Sequence, residues 1–331
     1  MSYLKAAVIS DVGLRVIETE IPRISRGEVL VKMESCGLCG TDIEKLEGRY
    51  TASMPVIGHE AAGIVEDSGD TNLGLKKGDR IFPHHHVPCY KCWNCTHGST
   101  TMCDMYRKTN IFPGGFSEYF RVPSWNVEHG GILRVPSEVS FDQASMIEPL
   151  ACVVRSVRRC GLQGDEKVLI VGAGPMGLLH AQLISATTEC TVALSEQSEF
   201  RRKFLTELGF EEFNSATGVS GFDVAVVAAG HPSAVAFAFK NIRRGGKVVL
   251  FGVPYRGSVL QYELADILNN EQTLLSSNAA DDRDTEQALE LIASGRVHPE
   301  ALITHRFPLA QVDKAVEAAK STSAMKIVIT P

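Results

Sequence analysis

The pattern of apolar and polar residues changes character near residue 148. Before that point short stretches predict strands, at residues 28–33 (Glu-Val-Leu-Val-Lys-Met), 61–66 and 80–82. Turns such as Lys77-Gly78-Asp79 separate them, so the first half reads as β-rich. After it, apolar runs rich in Val or Ala recur at 167–171, 191–195, 223–228 and 247–251, with helical stretches between them. That alternation predicts a parallel sheet with helices on both faces. Beyond residue 278 a helical stretch over 284–294 leads to a last strand at 326–330. This tail is expected to return to the first domain. The expected division is therefore 1–148 with 279–331, and 149–278.

Length agrees with that division, since 331 residues suit two domains of about 150 each. Hydrophobic residues make up 44% and charged residues 22%, which is a globular balance and not a disordered one. Lys and Arg number 33 against 39 Asp and Glu, a net charge of −6. A dedicated nucleic-acid binder would show a basic face instead. An anionic ligand is still allowed, because a helix N-terminus binds phosphate without net basicity. The uncharged run 168–188 is long enough to raise the question of a membrane span. Gly172, Pro175, Gly177, His180 and Gln182 interrupt it, and it reads as a strand, a tight turn and a helix. The first ten residues lack the basic, apolar, small order of a secretory leader. Six of the nine cysteines fall between Cys36 and Cys103. Clustering of this kind points to a reducing, cytoplasmic setting and to metal binding, not to disulfides.

Cys89, Cys92, Cys95 and Cys103 carry the sharpest local signal. Two-residue gaps let thiolates converge on one ion, and four of them close a tetrahedral zinc site with no open position. Such a site is structural. Free or redox thiols and an iron–sulfur cluster are the alternatives, although no Pro follows the last Cys as it does in ferredoxins. Cys39 and His59 are a second pair of good zinc ligands, while Cys36-x2-Cys39 is open to a redox reading. His84-His85-His86 precedes the four-cysteine lobe. One imidazole is expected to face the cleft or pack inside and the others to be solvated, with an extra metal site as the alternative. Cys36, Cys152, Cys160 and Cys190 read as buried small hydrophobes.

Gly172-Ala173-Gly174-Pro175-Met176-Gly177 fits G-x-G-x-x-G between a predicted strand and a predicted helix, the context a dinucleotide site requires. Gly172 allows the turn, Gly174 lets backbone approach a pyrophosphate, and Gly177 allows close helix–strand packing. The pyrophosphate would rest on the helix N-terminus opened by Pro175 and Met176. Glu196 ends the next strand, where a carboxylate accepts from the adenosine ribose and repels a 2′-phosphate. That favours NAD over NADP. Arg201 and Arg202 weaken the preference, unless they are simply solvated. Ala229, Gly252 and Val253 follow later strands, on the side where ligands gather in an open parallel sheet.

Taken together, Cys39-Gly40-Thr41-Asp42, Gly58-His59-Glu60-Ala61-Ala62-Gly63, the four-cysteine lobe and the glycine loop occur in the order of the zinc-dependent medium-chain alcohol dehydrogenases. Glu148-Pro149-Leu150 makes the chain look most like the sorbitol, threonine and sugar dehydrogenase branch. The resemblance spans residues 1–331. It implies a GroES-like β-barrel catalytic domain and a doubly wound Rossmann domain, with substrate and catalytic zinc in the cleft between them. It implies two zinc ions per chain, the catalytic one bound by Cys39 and His59, with Glu60 and Glu148 at the metal directly or through water. Glu148 stands where liver-type relatives carry Cys and is preferred to the nearby Cys152. Asp42 matches the carboxylate that orients the ligand histidine. Thr41 matches the hydroxyl that passes the substrate proton away. Thr41-x-x-Glu44 is also a capping-box pattern. Many relatives carry His at the position of Glu44, so Glu44 either takes the proton or caps the helix. Tyr50 and Phe116 are pocket walls by resemblance, or else core aromatics.

The expected activity is hydride transfer from a secondary alcohol to NAD, as zinc lowers the pKa of the substrate hydroxyl. The two carboxylates near the metal favour a polyol or sugar. Threonine and simple alcohols are the alternatives. A zinc-free reductase and a non-catalytic zinc- and nucleotide-binding protein are the competing classes. Relatives join Rossmann sheet edges into homodimers or homotetramers, and here residues 273–277 would be the edge.

Overall fold

The computed structural model describes residues 3–11, 13–49, 56–213, 221–321 and 323–331. The chain divides into two compact units. One comprises Met1–Ala151, Ala280–Gly295 and Pro299–Pro331, and the other Cys152–Ala279 and Arg296–His298. Among the described residues no helix is long and apolar enough to cross a membrane.

The first unit is organised around the strand Val29–Leu38. Glu60–Ser68 runs antiparallel along one edge, from Val29 opposite Ser68 to Gly37 opposite Glu60. The other edge is shared. Tyr119–Val122 pairs with its first part, and the C-terminal strand Lys326–Thr330 pairs with its last part, Ile329 opposite Cys36. Val29, Leu30, Val31, Met33 and Cys36 are all buried. Paired along both edges, the strand runs on through Glu34 and Ser35, well past its predicted end at residue 33. Arg80–Pro83 and Ile132–Arg134 extend the sheet on one side, and Ile303–Pro308 lies parallel to Lys326–Thr330 on the other. Met33, Ile81, Phe82, Phe116 and Phe120 fill the interior. Each such burial contributes about 1.5–3 kcal/mol. Phe116 is wholly enclosed in this core, so the pocket-wall expectation for it is corrected. Tyr50 lies outside the described residues.

The helix Asp282–Ala293 also belongs to this unit. Asp281 caps it, accepting from the backbone N–H groups of Arg283 and Asp284 at 3.2 Å each. The Asp284 carboxylate answers by accepting from the Asp281 N–H at 2.9 Å. These reciprocal bonds satisfy donors that a helix start otherwise leaves orphaned.

The second unit holds a six-stranded sheet in the order Glu211–Glu212, Thr191–Ser195, Lys167–Val171, Phe222–Val227, Ile242–Leu250, Thr273–Ser276. Every pair in it is parallel. The first strand in sequence therefore lies in the middle, with later strands added to either side. This is the doubly wound order, and its switch point lies between Lys167–Val171 and Phe222–Val227. Val168, Leu169 and Ile170 are wholly buried, as strands covered on both faces must be.

Several polar groups are enclosed in this second unit, Ser156, Asn241 and His180 among them. His180, on the helix Pro175–Thr187, is fully buried edge-on to Phe251, and its Nδ1 bonds the Met176 carbonyl at 2.7 Å. Burial lowers its pKa to about 4, against about 6.5 in an unfolded chain. Between those values the unfolded chain takes up the proton first, so stability falls as pH drops through that window. The loss saturates near 3 kcal/mol, from about 1.36 kcal/mol per pH unit. His180→Leu is expected to remove this slope from the denaturant midpoint measured at pH 7, 6, 5 and 4. An unchanged slope would assign it to other groups.

Candidate metal centres and dinucleotide loop

Cys39, His59 and Glu60 come together because of strand register. Cys39 follows the end of Val29–Leu38 and caps the helix Gly40–Leu46. Glu60 opens the neighbouring strand, directly opposite Gly37. The candidate ligand atoms of the three residues lie within 4.8 Å of one another. Gly37 leaves the space this carboxylate occupies, since a Cβ there would stand 1.9 Å from a Glu60 carboxylate oxygen and displace it.

Asp42 is fully buried beside this group, with Oδ1 3.4 Å from His59 Nδ1. That is a close ionic contact rather than a well-formed hydrogen bond. Its Oδ2 accepts from the Cys39 N–H at 3.2 Å. Burial would raise the Asp42 pKa, but His59 and then Lys45 pull it below the usual carboxylate range. Burial works against a charge on His59, yet Asp42 and Cys39 outweigh it and hold its proton affinity well above normal. The site therefore favours positive charge at the imidazole. A thiolate, an imidazole and a carboxylate converging in such a field fit zinc. Cys36 is not part of the converging set, and burial pushes its thiol well above the normal range.

Lys326 is the functional residue that sequence reading missed. Its ammonium is buried and bonds the buried Glu60 carboxylate across 266 positions of sequence. Burial and the neighbouring Glu148 raise the Glu60 pKa, and Lys326 and His59 oppose that rise. Glu148 is buried and acts electrostatically on Glu60, His84 and Lys326. It does not join the three-membered ligand group.

The helix start corrects one expectation. The capping carboxylate is Asp42, three residues after Cys39, so Thr41 and Glu44 form no capping box. Glu44 is held instead by Arg49, from Nε at 2.6 Å and Nη2 at 2.9 Å. Arg49 keeps that carboxyl below its usual range and makes it a poor proton acceptor at neutral pH. Thr41 Oγ1 donates to Cys39 Sγ at 3.3 Å. The triple histidine is corrected too, since none of its members is solvated. His84 and His85 are buried and His86 is half-buried. His84 Nδ1 bonds Asp282 Oδ1 at 2.8 Å, and His86 Nδ1 bonds the Thr109 carbonyl at 2.5 Å. Asp282, so far along the chain, was also unseen from sequence.

The second metal group comprises Cys89, Cys92, Cys95 and Cys103. Sulfur pairs Cys92–Cys95 and Cys89–Cys103 each stand 3.5 Å apart. Four sulfurs at about 2.3 Å from zinc are separated by about 3.8 Å, so the cage fits. Backbone N–H groups of Lys91 and Cys92 lower the Cys89 thiol to about 6. Burial and the surrounding thiols push Cys95 up to about 12. Thiols this crowded resist joint ionisation until a cation is present. Tyr90, inside the lobe, donates its hydroxyl to Asp282 Oδ2 at 2.5 Å, and Thr100 donates to Asp281 Oδ2 at 2.8 Å.

In the second unit the glycine loop joins Lys167–Val171 to Pro175–Thr187. Gly172 has φ +102°, which favours glycine. A Cβ on Gly177 would lie 1.9 Å from the Gly172 carbonyl oxygen. Gly174 differs, for its Cβ would meet nothing closer than Arg201 Nη1 at 3.5 Å. The chain itself leaves room there for a ligand to approach the backbone. Arg201 therefore flanks the loop and is not simply solvated. Glu196 accepts from the backbone N–H of Ala173 at 2.8 Å, Gln197 at 2.7 Å and Ser198 at 2.9 Å. A carboxylate offers about four lone-pair positions, so capacity for a ribose hydroxyl is left. A Cβ on Gly252 would meet the Ala229 carbonyl carbon at 2.6 Å, which packs these two strand ends together. Val253 beside them is exposed.

The chain as a whole is similar to known proteins. The alcohol dehydrogenase GroES-like domain family matches residues 25–131, and the zinc-binding dehydrogenase family matches residues 175–294. L-galactonate-5-dehydrogenase of Escherichia coli K12 is 30% identical, over 91% of this chain and 90% of its own. Sorbitol dehydrogenase of Halalkalibacterium halodurans is 29% identical, over 99% of each chain. A Sinorhizobium meliloti 1021 protein solved with NADP superposes with a TM-score of 0.90 at 28% identity, over the whole of both chains.

Breaking the buried pair at the first centre gives a direct test. Lys326→Met leaves the Glu60 carboxylate enclosed without its cation, a change that costs about 3–5 kcal/mol. The denaturant midpoint should fall accordingly, and adding Glu60→Gln should restore most of it. A midpoint unchanged by Lys326→Met would show that the pair carries no such weight.

Proposed function

The chain belongs to the zinc-dependent medium-chain alcohol dehydrogenases, and from that premise we propose that it transfers a hydride from a secondary alcohol of a polyol or sugar to NAD. The observation that carries this reading is the group Cys39, His59 and Glu60, which supplies three protein ligands where the four-cysteine lobe supplies four. A closed cage holds structure, whereas a three-ligand set leaves a position for substrate. Zinc held there would supply the Lewis acidity that lowers the pKa of a bound hydroxyl.

The remaining steps fall to side chains. Asp42 orients His59 through Nδ1 and keeps the opposite ring nitrogen for the metal. Thr41 Oγ1, already against Cys39 Sγ and partly exposed, would accept the proton of the substrate hydroxyl while giving up its own to solvent. Glu44 takes no part, because Arg49 occupies it. Lys326 balances Glu60, so the ligand set keeps one neutral pair within it. Glu148 adds a further acceptor near the metal, which suits a substrate with several hydroxyl groups. The loop at Gly174 would hold a pyrophosphate, with Arg201 as counter-charge, and Glu196 would accept from the ribose and disfavour a 2′-phosphate.

We also infer self-association through the edge strand Thr273–Ser276. Its outer backbone groups have no strand partner among the described residues. Leu274 on it, and Leu264 and Leu268 on the helix Leu264–Asn269, are exposed. An open edge bordered by apolar side chains favours pairing with a second copy.

With zinc loaded, oxidation of sorbitol or another polyol with NAD is expected, and Cys39→Ala should abolish it. Glu196→Ala should shift the NAD/NADP ratio of kcat/KM toward NADP by about tenfold, the loss of one charge-assisted contact. Silence across polyols, aldoses, threonine and simple alcohols, with zinc content verified, would overturn the reading. Sedimentation should give a dimer or tetramer that Leu274→Glu with Leu268→Glu dissociates, and a wild-type monomer would remove the assembly.

A further inference from the structure

Of the three consecutive imidazoles in the first unit, two are engaged. His84 Nδ1 is held by Asp282 and His86 Nδ1 by the Thr109 carbonyl. The backbone between them is pinned as well. Asn126 Nδ2 donates to the carbonyls of His84 at 2.8 Å and His85 at 3.1 Å, and the Val87 N–H donates to Thr109 Oγ1 at 3.0 Å. The segment cannot easily turn to satisfy a different set of partners.

His85 is the exception. It is only 7% exposed, yet its ring nitrogens have no hydrogen-bond partner among the described residues, and Nδ1 is shut off from solvent. Its ring centroid stands 5.0 Å from that of His59, the imidazole of the three-ligand group, and 4.2 Å from that of His86. Buried polar nitrogens are nearly always paired, so one left over beside an open centre points to a missing hydrogen-bonding group. An imidazole offers both a donor and an acceptor, which matches a hydroxyl in either direction. A merely space-filling ring would be expected to be apolar.

We propose that His85 is a specificity-determining residue, hydrogen-bonding the substrate hydroxyl next to the carbinol that is oxidised, so that vicinal diols are preferred to mono-alcohols. This rests on the dehydrogenase reading above and names the feature of substrate that the site selects. His84 and Asp282 then act as the anchor that keeps His85 in place.

The test compares 2,3-butanediol with 2-butanol in the zinc-loaded protein with NAD. In the wild type kcat/KM favours the diol. His85→Phe should cut that preference by about 10- to 100-fold, as expected when a site loses its partner for a substrate hydroxyl. The change should fall mainly on KM for the diol, with 2-butanol altered less than about threefold, a margin small against that discrimination. His85→Gln, which keeps a donor and an acceptor, should recover part of the preference and also serves if His85→Phe folds poorly. Parallel losses on both alcohols, or a wild type with no preference for the diol, would overturn the inference. If the wild type oxidises neither these two alcohols nor any member of the panel above, the dehydrogenase reading fails separately. Calorimetric titration of 2,3-butanediol into the zinc- and NADH-loaded protein then decides, and equal affinity in wild type and His85→Phe rejects the role of His85.

Discussion

A carboxylate can be enclosed beside a metal centre only if something neutralises it, and here that is the buried contact between Glu60 and Lys326. An isolated charge in such surroundings would cost several kcal/mol. Lys326 comes from the last strand of the chain, which lies along Val29–Leu38 where that strand approaches Cys39. Register then places Glu60 opposite Gly37, and Gly37 leaves the space that the carboxylate fills. The candidate centre thus depends on three distant segments meeting in one sheet. The return of the C-terminal segment to the first unit supplies a charge as well as a strand.

The two metal groups of that unit differ in how their charge is managed. Among the four cysteines, thiols crowd together with backbone N–H groups around them, and only a cation relieves the crowding. At Cys39, His59 and Glu60 the Glu60 charge is offset by Lys326, and Lys45 lies 3.7 Å from the neighbouring Asp42. The first arrangement is suited to holding an ion permanently. The second brings three candidate ligands together instead of four. The lobe is tied down at its base, since Tyr90 and Thr100 bond the capped start of Asp282–Ala293 and Asp282 also holds His84.

In the second unit the glycine loop separates packing from binding. Gly172 and Gly177 are required by the chain's own conformation and contacts. Gly174 is not, and it leaves open space beside the backbone. Glu196 stabilises the loop through Ala173 and keeps capacity for one further donor. A substitution there would therefore disturb loop geometry.

Local patterns carry local chemistry, and that much could be read along the chain. The glycine loop, the four cysteines and the pair Cys39 and His59 are recognisable because their spacing or residue type is itself the physical requirement. The parallel sheet was legible for the same reason, as strands buried on both faces are continuous apolar runs. Glu44 and the triple histidine were misread because several partners were equally plausible in sequence, and the choice went to Arg49, Thr109 and Asp282. The strand through Glu34 and Ser35 was cut short because its polar letters gave no hint that neighbouring strands pair with both its edges. Lys326 and Asp282 were invisible, each lying about 200 residues or more from the group it holds. Spacing could announce which atoms bind a metal. Only folding decided which buried charges would be balanced, because that balance is made between segments whose sequences carry no record of each other.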